Sequence, residues 1–486
     1  MIALPPRGVP AEQVLTTMRR VREHDAKWRQ GKTWSLIFHA GDELAEFLQE
    51  AYTMFFSENG LNPTAFPRLK KFEAEVVAMT AAQLGGDEHA TGNMTSGGTE
   101  SILMAVKTAR EWARTHKPSI TSPEILLPST AHPAFDKAAR YFSIKTVKVP
   151  VRADFRANVD ATRVAITPHT ILMVGSAPSY PQGVVDPVAE LARLAQDRRI
   201  LFHVDACVGG MMLPFVQKLG YKVPEFDFSV PGVTSMSVDL HKYGYAAKGA
   251  SVILYKDAEL RRCQFFVSTD WSGGIYASPT ITGTRPGGAI AAAWAIMNHL
   301  GEEGYLAIAD TVMKTTTKLR AGIDAIPNVQ VLGDPPMSVL AIGSDSLNVY
   351  EIADELALCG WHLDRQQSPP SIHLTVTHAH ARVADQFLKD LAHAVVKARR
   401  PSLSHVSNRL KVGLVRTAAR LLPADAMSNL TGRAYSVTGL QGSDLPQRSA
   451  AMYGVMASLP NRGDLDELVL DVLDQMTQGG DEPGAS

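Results

Sequence analysis

The sequence predicts an α/β fold: a mainly parallel central sheet with helices on both faces, plus a small C-terminal α+β domain. Three observations carry this. From about residue 72, short β-branched or apolar runs alternate with helical windows. Two of the runs, 200–204 and 233–238, end just before residues with evident chemistry, and the strand ends of parallel sheets are where ligands bind. Beyond residue 326 the pattern changes to short strands interleaved with two helices, typical of a small α+β unit.

Taken in order, 1–65 is expected to be an N-terminal helical segment, 66–315 a large domain, 316–400 the small domain and 401–486 an extension. Residues 72–83 and 100–115 read as helices, 124–127 as a short strand, 132–142 as a helix, and 146–151 and 171–175 as strands. A helix at 187–197 leads into a strand at 200–205, and another strand, 251–255, precedes a long connection. The run 289–297 is about half the 18 apolar residues needed to span a bilayer and reads as a buried helix; 305–326 is helical. Strands at 329–332, 338–342 and 372–377 alternate with helices at 349–358 and 383–398. The stretch 401–447, rich in Ser, Pro, Gly and Arg, reads as an extension on the surface or at a subunit interface, and the polar, Gly-rich 478–486 as disordered.

Composition removes whole classes of function. With 486 residues the chain can build a large core, and its net charge of −1 provides no field favouring nucleic acid. Three scattered cysteines, Cys207, Cys263 and Cys359, are too few for a disulfide framework or a metal cluster, and suggest a reducing compartment. The first ten residues do not resemble a signal peptide, so a cytoplasmic protein without a transmembrane anchor is expected.

The chemistry is concentrated in a carboxylate and a lysine. Asp205 closes His203-Val204-Asp205-Ala206, and Lys242 closes Ser237-Val238-Asp239-Leu240-His241-Lys242. Pyridoxal 5'-phosphate chemistry needs such a pair: an amine to form a Schiff base with the cofactor aldehyde and a carboxylate to keep the pyridine nitrogen protonated. An ordinary strand-end Asp and a surface Lys would look the same. Thr95-Ser96-Gly97-Gly98-Thr99-Glu100-Ser101 adds a second signal, because its glycines open a helix whose free N–H groups can cradle a phosphate. It lacks the Gly-Lys-Ser/Thr ending of a Walker loop and the spacing of a dinucleotide fingerprint.

On these residues the chain resembles the sphingosine-1-phosphate lyases, fold-type I pyridoxal phosphate enzymes related to the group II decarboxylases. The resemblance covers roughly 31–398. It is densest at 203–210, 241–249 and 269–280, with Gly283-Thr284-Arg285-Pro286-Gly287-Gly288 following. It implies that Lys242 carries the cofactor, that Asp205 pairs with the pyridine nitrogen, and that His132 stacks on the ring. Gly97, Gly98 and Thr99 would hold the cofactor phosphate with His241 nearby, and a homodimer would bring Gly283 and Thr284 across from the partner. Lys248 resembles a second active-site lysine, and Tyr180 a tyrosine able to move a proton if nearby lysines lowered its pKa. Tyr453 resembles a further lyase tyrosine, with packing as its other reading. His132 taken by itself also reads as a helix-capping histidine.

Two departures bear on the substrate. The family's substrate-contacting tyrosine falls on Phe38, which cannot hydrogen-bond a phosphate, and a family histidine falls on Asn62, which cannot titrate. Asn59 matches a family asparagine. The implied reaction is retro-aldol cleavage of the C2–C3 bond of a phosphorylated sphingoid base to a fatty aldehyde and phosphoethanolamine. An amino-acid decarboxylase, a lyase for another phosphorylated amino alcohol and a silent scaffold stand as alternatives. No metal is expected.

Overall fold

The computed structural model describes residues 3–23 and 25–400, with Ala450, Tyr453 and a few positions beyond. The expected extension with its tail lies otherwise outside the described residues. Seven strands build the central sheet: β1 (Thr91–Thr95), β2 (Glu124–Pro128), β3 (Lys145–Val149), β4 (Thr170–Ser176), β5 (Leu201–Asp205), β6 (Ser235–Val238) and β7 (Ser251–Tyr255). Their spatial order is β1-β7-β6-β5-β4-β2-β3, and every neighbouring pair is parallel except the two that involve β7.

Strand alternation divides the interior into two cores. Ile125, Leu127, Leu172, Val174, Leu201, Ile253 and Tyr255 join the helices Gly98–His116 and Ala134–Tyr141 on one face. Leu126, Met173, Phe202, Val204, Val252 and Leu254 pack on the other face. Burial on both faces accounts for the near-continuous apolar runs by which these strands were legible.

A two-stranded hairpin, β8 (Phe266–Trp271) with β9 (Gly274–Ser278), occupies part of what the sequence presented as a long connection. It is largely exposed, so no apolar alternation marks it. The helix Gly287–Asp324 follows, broken at Gly301, whose backbone is non-helical (φ 54°, ψ −169°). That break explains why 289–297 and 305–326 read as separate helical stretches. A second sheet comes next, formed by β10 (Gln330–Val331), β11 (Val339–Gly343), β12 (Asp364–Gln367) and β13 (Pro370–Thr375) in the order β10-β11-β13-β12, all antiparallel.

The N-terminal part is tied to this second sheet. Thr33 bridges His362, and the fully buried Trp34 stacks on His380 at 4.1 Å and packs against Trp361 and Phe387. The anchor fixes the loop that carries Leu36 and Phe38. Among the described residues no helix is long and apolar enough to cross a membrane.

Candidate active site

The carboxyl ends of β4, β5 and β6 and the turn before Gly98–His116 converge on a cavity of about 690 Å³. Asp205 is the last residue of β5, and Lys242 follows the end of β6 by one tight turn, so adjacent parallel strands deliver both to one rim. Gly97, Gly98, Thr99, His132, His241, Lys248, Tyr180 and Phe38 line the same space.

Lys242 is held by a residue that pattern reading passed over. Asp239, 2% exposed, places Oδ2 2.8 Å from Lys242 Nζ and 3.8 Å from His241 Nε2. Burial works against both charges of the pair. The attraction prevails: Asp239, ahead of Asp205, holds the lysine above its ordinary range, and Lys242 with His241 holds the Asp239 carboxyl below its own. The i,i+3 spacing in Asp239-Leu240-His241-Lys242 was the available signal, but burial, which makes the contact matter, is not written in it.

Asp205 accepts two hydrogen bonds on Oδ1, from the Cys207 N–H (3.1 Å) and the Ser237 hydroxyl (3.3 Å). Oδ2 has no protein donor among the described residues. At the glycine turn, a Cβ on Gly98 would lie 2.8 Å from both Asp239 Oδ2 and Cys207 Sγ, so only glycine fits there. Glu100 braces the turn: Oε2 accepts from Ser96 N (2.6 Å) and Ser96 Oγ (2.7 Å), and Oε1 accepts from Ile281 N (2.9 Å) and Thr282 N (3.3 Å). A glycine cradle on a helix N-terminus, a primary amine, and a carboxylate with one oxygen free form a donor set that fits pyridoxal 5'-phosphate.

The remaining candidates divide. His132 lines the cavity, and its Nδ1 accepts the N–H of Ala134, the first residue of the helix Ala134–Tyr141, at 3.2 Å. His241 accepts the Ala250 N–H on Nδ1 (3.2 Å), and burial lowers its pKa against the opposing pull of Asp239. Lys248 donates to the carbonyls of Leu36 (2.9 Å) and His241 (3.2 Å), and its Nζ lies 5.4 Å from the Phe38 ring centroid. Leu36 reaches this position with φ at 66°, a region bulky residues rarely adopt. Although much of the Lys248 side chain is solvent-exposed, desolvation and then the charge of Lys242 lower its pKa to about 8.

Tyr180 corrects the sequence reading. Its hydroxyl donates to Asp364 Oδ2 at 2.9 Å and its ring stacks on His373 at 4.1 Å. Burial, then Asp364, push the phenol well above its ordinary range, opposite to the lowering that proton abstraction would need. Tyr453 packs at 5.5 Å from the Tyr350 ring with Arg365 over its face, and does not line the cavity. Phe38 does line it, edge-on to Tyr243 at 4.9 Å.

Asn59, Asn62, Gly283 and Thr284 are absent from this chain's cavity but lie close to one another. Asn59 bridges Pro286, Gly60 N donates to Arg285 O (2.9 Å), and Gly283 faces Leu61 and Tyr276. Asn62 spends Oδ1 on the N–H groups of Thr64 and Ala65 and on the Thr64 hydroxyl. Arg285, ion-paired with Glu73 and bonded to Gly60 O, clamps the patch together.

Comparison with known proteins adds to this geometry. Residues 4–341 match the pyridoxal-dependent decarboxylase conserved domain. The sphingosine-1-phosphate lyase of Arabidopsis thaliana is 48% identical over 400 residues, 81% of this chain and 73% of that one. Sphingosine-1-phosphate lyase 1 of Rattus norvegicus is 45% identical over 397 residues, covering 81% and 70%. Among solved structures, the sphingosine-1-phosphate lyase of Burkholderia pseudomallei superposes with a TM-score of 0.80 at 40% identity, over 85% of this chain and 97% of that one. A Lactobacillus brevis glutamate decarboxylase shares the fold, with a TM-score of 0.72 at 19% identity over 83% and 96% of the two chains.

Proposed function

This chain belongs to the sphingosine-1-phosphate lyases of the pyridoxal-dependent decarboxylase family, and on that premise we propose that it cleaves the C2–C3 bond of a phosphorylated long-chain 2-amino-1,3-diol to a fatty aldehyde and phosphoethanolamine. The observation that carries the reading is one cavity holding two lysines in opposed environments. Lys242 is kept cationic by Asp239; Lys248, with a pKa of about 8, can give and take a proton near neutral pH.

When bound, pyridoxal phosphate supplies an electron sink for the bond at the amino carbon lying perpendicular to its plane. Lys242 would hold the cofactor aldehyde. Gly97, Gly98 and Thr99 would hold the phosphate on the helix N-terminus, His132 would lie over the ring face, and Asp205 Oδ2 would pair with the pyridine nitrogen. Lys248 Nζ removes the 3-hydroxyl proton, which directs cleavage to C2–C3. Lys242 Nζ, a cation beside Asp239, returns a proton at C2. A decarboxylase needs Lys242, Asp205 and His132 but has no evident use for Lys248.

Phe38 provides an apolar wall beneath Lys248, so the substrate head group is held without a hydroxyl at that position. The patch of Asn59, Asn62, Gly283 and Thr284 would complete the cavity of a second copy in a homodimer. The three free cysteines accord with a cytoplasmic protein.

Incubation of the purified protein with pyridoxal phosphate and sphingosine 1-phosphate tests the reading. Long-chain aldehyde is expected from the wild type and none from Lys242→Ala. Carbon dioxide released from an α-amino acid, without aldehyde from the lipid, would favour decarboxylation instead.

A further inference from the structure

We infer that His203 and Ser237 are positioning residues which, through a hydrogen-bond chain of fixed direction, hold Asp205 as the ionised partner of the cofactor's ring nitrogen; this rests on the reading of Asp205 given above. The chain follows from register. Parallel pairing sets His203 of β5 beside Ser235 of β6, and Asp205 beside Ser237. The distances run His203 Nδ1 to Ser235 Oγ 2.9 Å, His203 Nε2 to Ser237 Oγ 3.1 Å, and Ser237 Oγ to Asp205 Oδ1 3.3 Å.

Proton counting sets the direction. An ionised Asp205 only accepts, so the single hydroxyl proton of Ser237 points to Oδ1. Ser237 Oγ must then accept from His203 Nε2–H, which leaves Nδ1 to accept from the Ser235 hydroxyl. His203 is therefore the Nε2–H tautomer. Full burial keeps it neutral, its pKa pushed down to about 4, and the Phe135 ring packs edge-on against it at 5.8 Å. Every O–H and N–H in the row thus points toward the carboxylate while no positive charge is added.

The consequence concerns where a proton rests. With Cys207 N–H, the chain places two donors on Oδ1 and leaves Oδ2 for the ring nitrogen. Without the chain, Oδ1 loses a donor, and the pairing of Asp205 with a protonated ring nitrogen is less well held. The electron sink is then weakened although Lys242, the phosphate turn and the substrate contacts are intact.

The test reconstitutes the wild type, Ser237→Ala, His203→Leu and His203→Gln with pyridoxal phosphate carrying ¹⁵N in the ring, and reads the nitrogen resonance of each holoenzyme. The wild type should show a protonated nitrogen. Ser237→Ala and His203→Leu should shift toward the unprotonated position, with kcat reduced about tenfold or more, as expected for a lost hydrogen bond to a charged group, and KM unchanged. His203→Gln, which can still donate to Ser237, should restore the wild-type resonance. Ser237→Ala removes one oxygen and remains readable if His203→Leu fails to fold. A wild-type resonance in folded Ser237→Ala holoenzyme would overturn the inference alone. An unprotonated nitrogen in the wild type would overturn the Asp205 reading beneath it.

Discussion

Replacing Asp239 with Asn changes almost no volume and removes only the charge that faces Lys242. At 2.8 Å and an effective dielectric constant of about 20, the attraction is roughly 6 kcal/mol before desolvation is subtracted. Breaking one side of a buried pair costs about 3–5 kcal/mol, because the remaining charge is uncompensated. The lysine has an escape that sets a ceiling: it can fold neutral. Deprotonating a lysine of unfolded pKa about 10.4 at about pH 7.5 costs roughly 4 kcal/mol, and each further pH unit lowers that by about 1.4.

In the wild type, Lys242 is raised, so its contribution is complete below the unfolded lysine pKa and is lost as pH rises through the higher folded value. Asp239 is lowered, so its contribution is present above the unfolded carboxyl pKa and is lost as pH falls through the folded one. Neither limit falls between neutral pH and 9.5. Urea unfolding of apoprotein at fixed concentration should therefore show Asp239→Asn destabilised by about 3–4 kcal/mol at about pH 7.5, with a clearly smaller penalty at about pH 9.5. A loss below about 1 kcal/mol, or an equal loss at both pH values, would refute the claim that Lys242 is ion-paired to a buried carboxylate.

Three further outcomes are expected. Because Lys248 sheds its proton near pH 8, kcat/KM for lipid cleavage should rise through that pH, and Lys248→Met should remove the limb and cost about a hundredfold or more. Tyr180→Phe should cost less than about tenfold and leave the pH profile in place, whereas a loss of about a thousandfold would restore tyrosine as the base. Gly98→Ala should raise the cofactor Kd about tenfold or more in an absorbance titration, since the new methyl meets Asp239 and Cys207; unchanged binding would mean the turn is not the phosphate cradle.

Much of the framework was legible because parallel strands buried on both faces are plain apolar runs: 251–255 coincides with β7, and 200–205 contains β5. The antiparallel direction of β7 was not legible, since a run of buried residues carries no polarity. The β8–β9 hairpin escaped because exposed strands have no apolar face to alternate. At the site, Asp205, Lys242 and the glycine turn were found from their chemistry, since strand ends and a helix start place them together. Asp239 and the row behind Asp205 depend on cross-strand register and burial, which arise only when the sheet forms. The surroundings of Tyr180 were illegible for the same reason: Asp364 is brought to it by a strand of the second sheet, far along the chain.

Breakage of the C2–C3 bond in this cavity fixes the product balance. Holoenzyme given dihydrosphingosine 1-phosphate should release long-chain aldehyde and phosphoethanolamine in equal amounts, with no carbon dioxide from added amino acids. Carbon dioxide without aldehyde, or aldehyde unmatched by phosphoethanolamine, would contradict it.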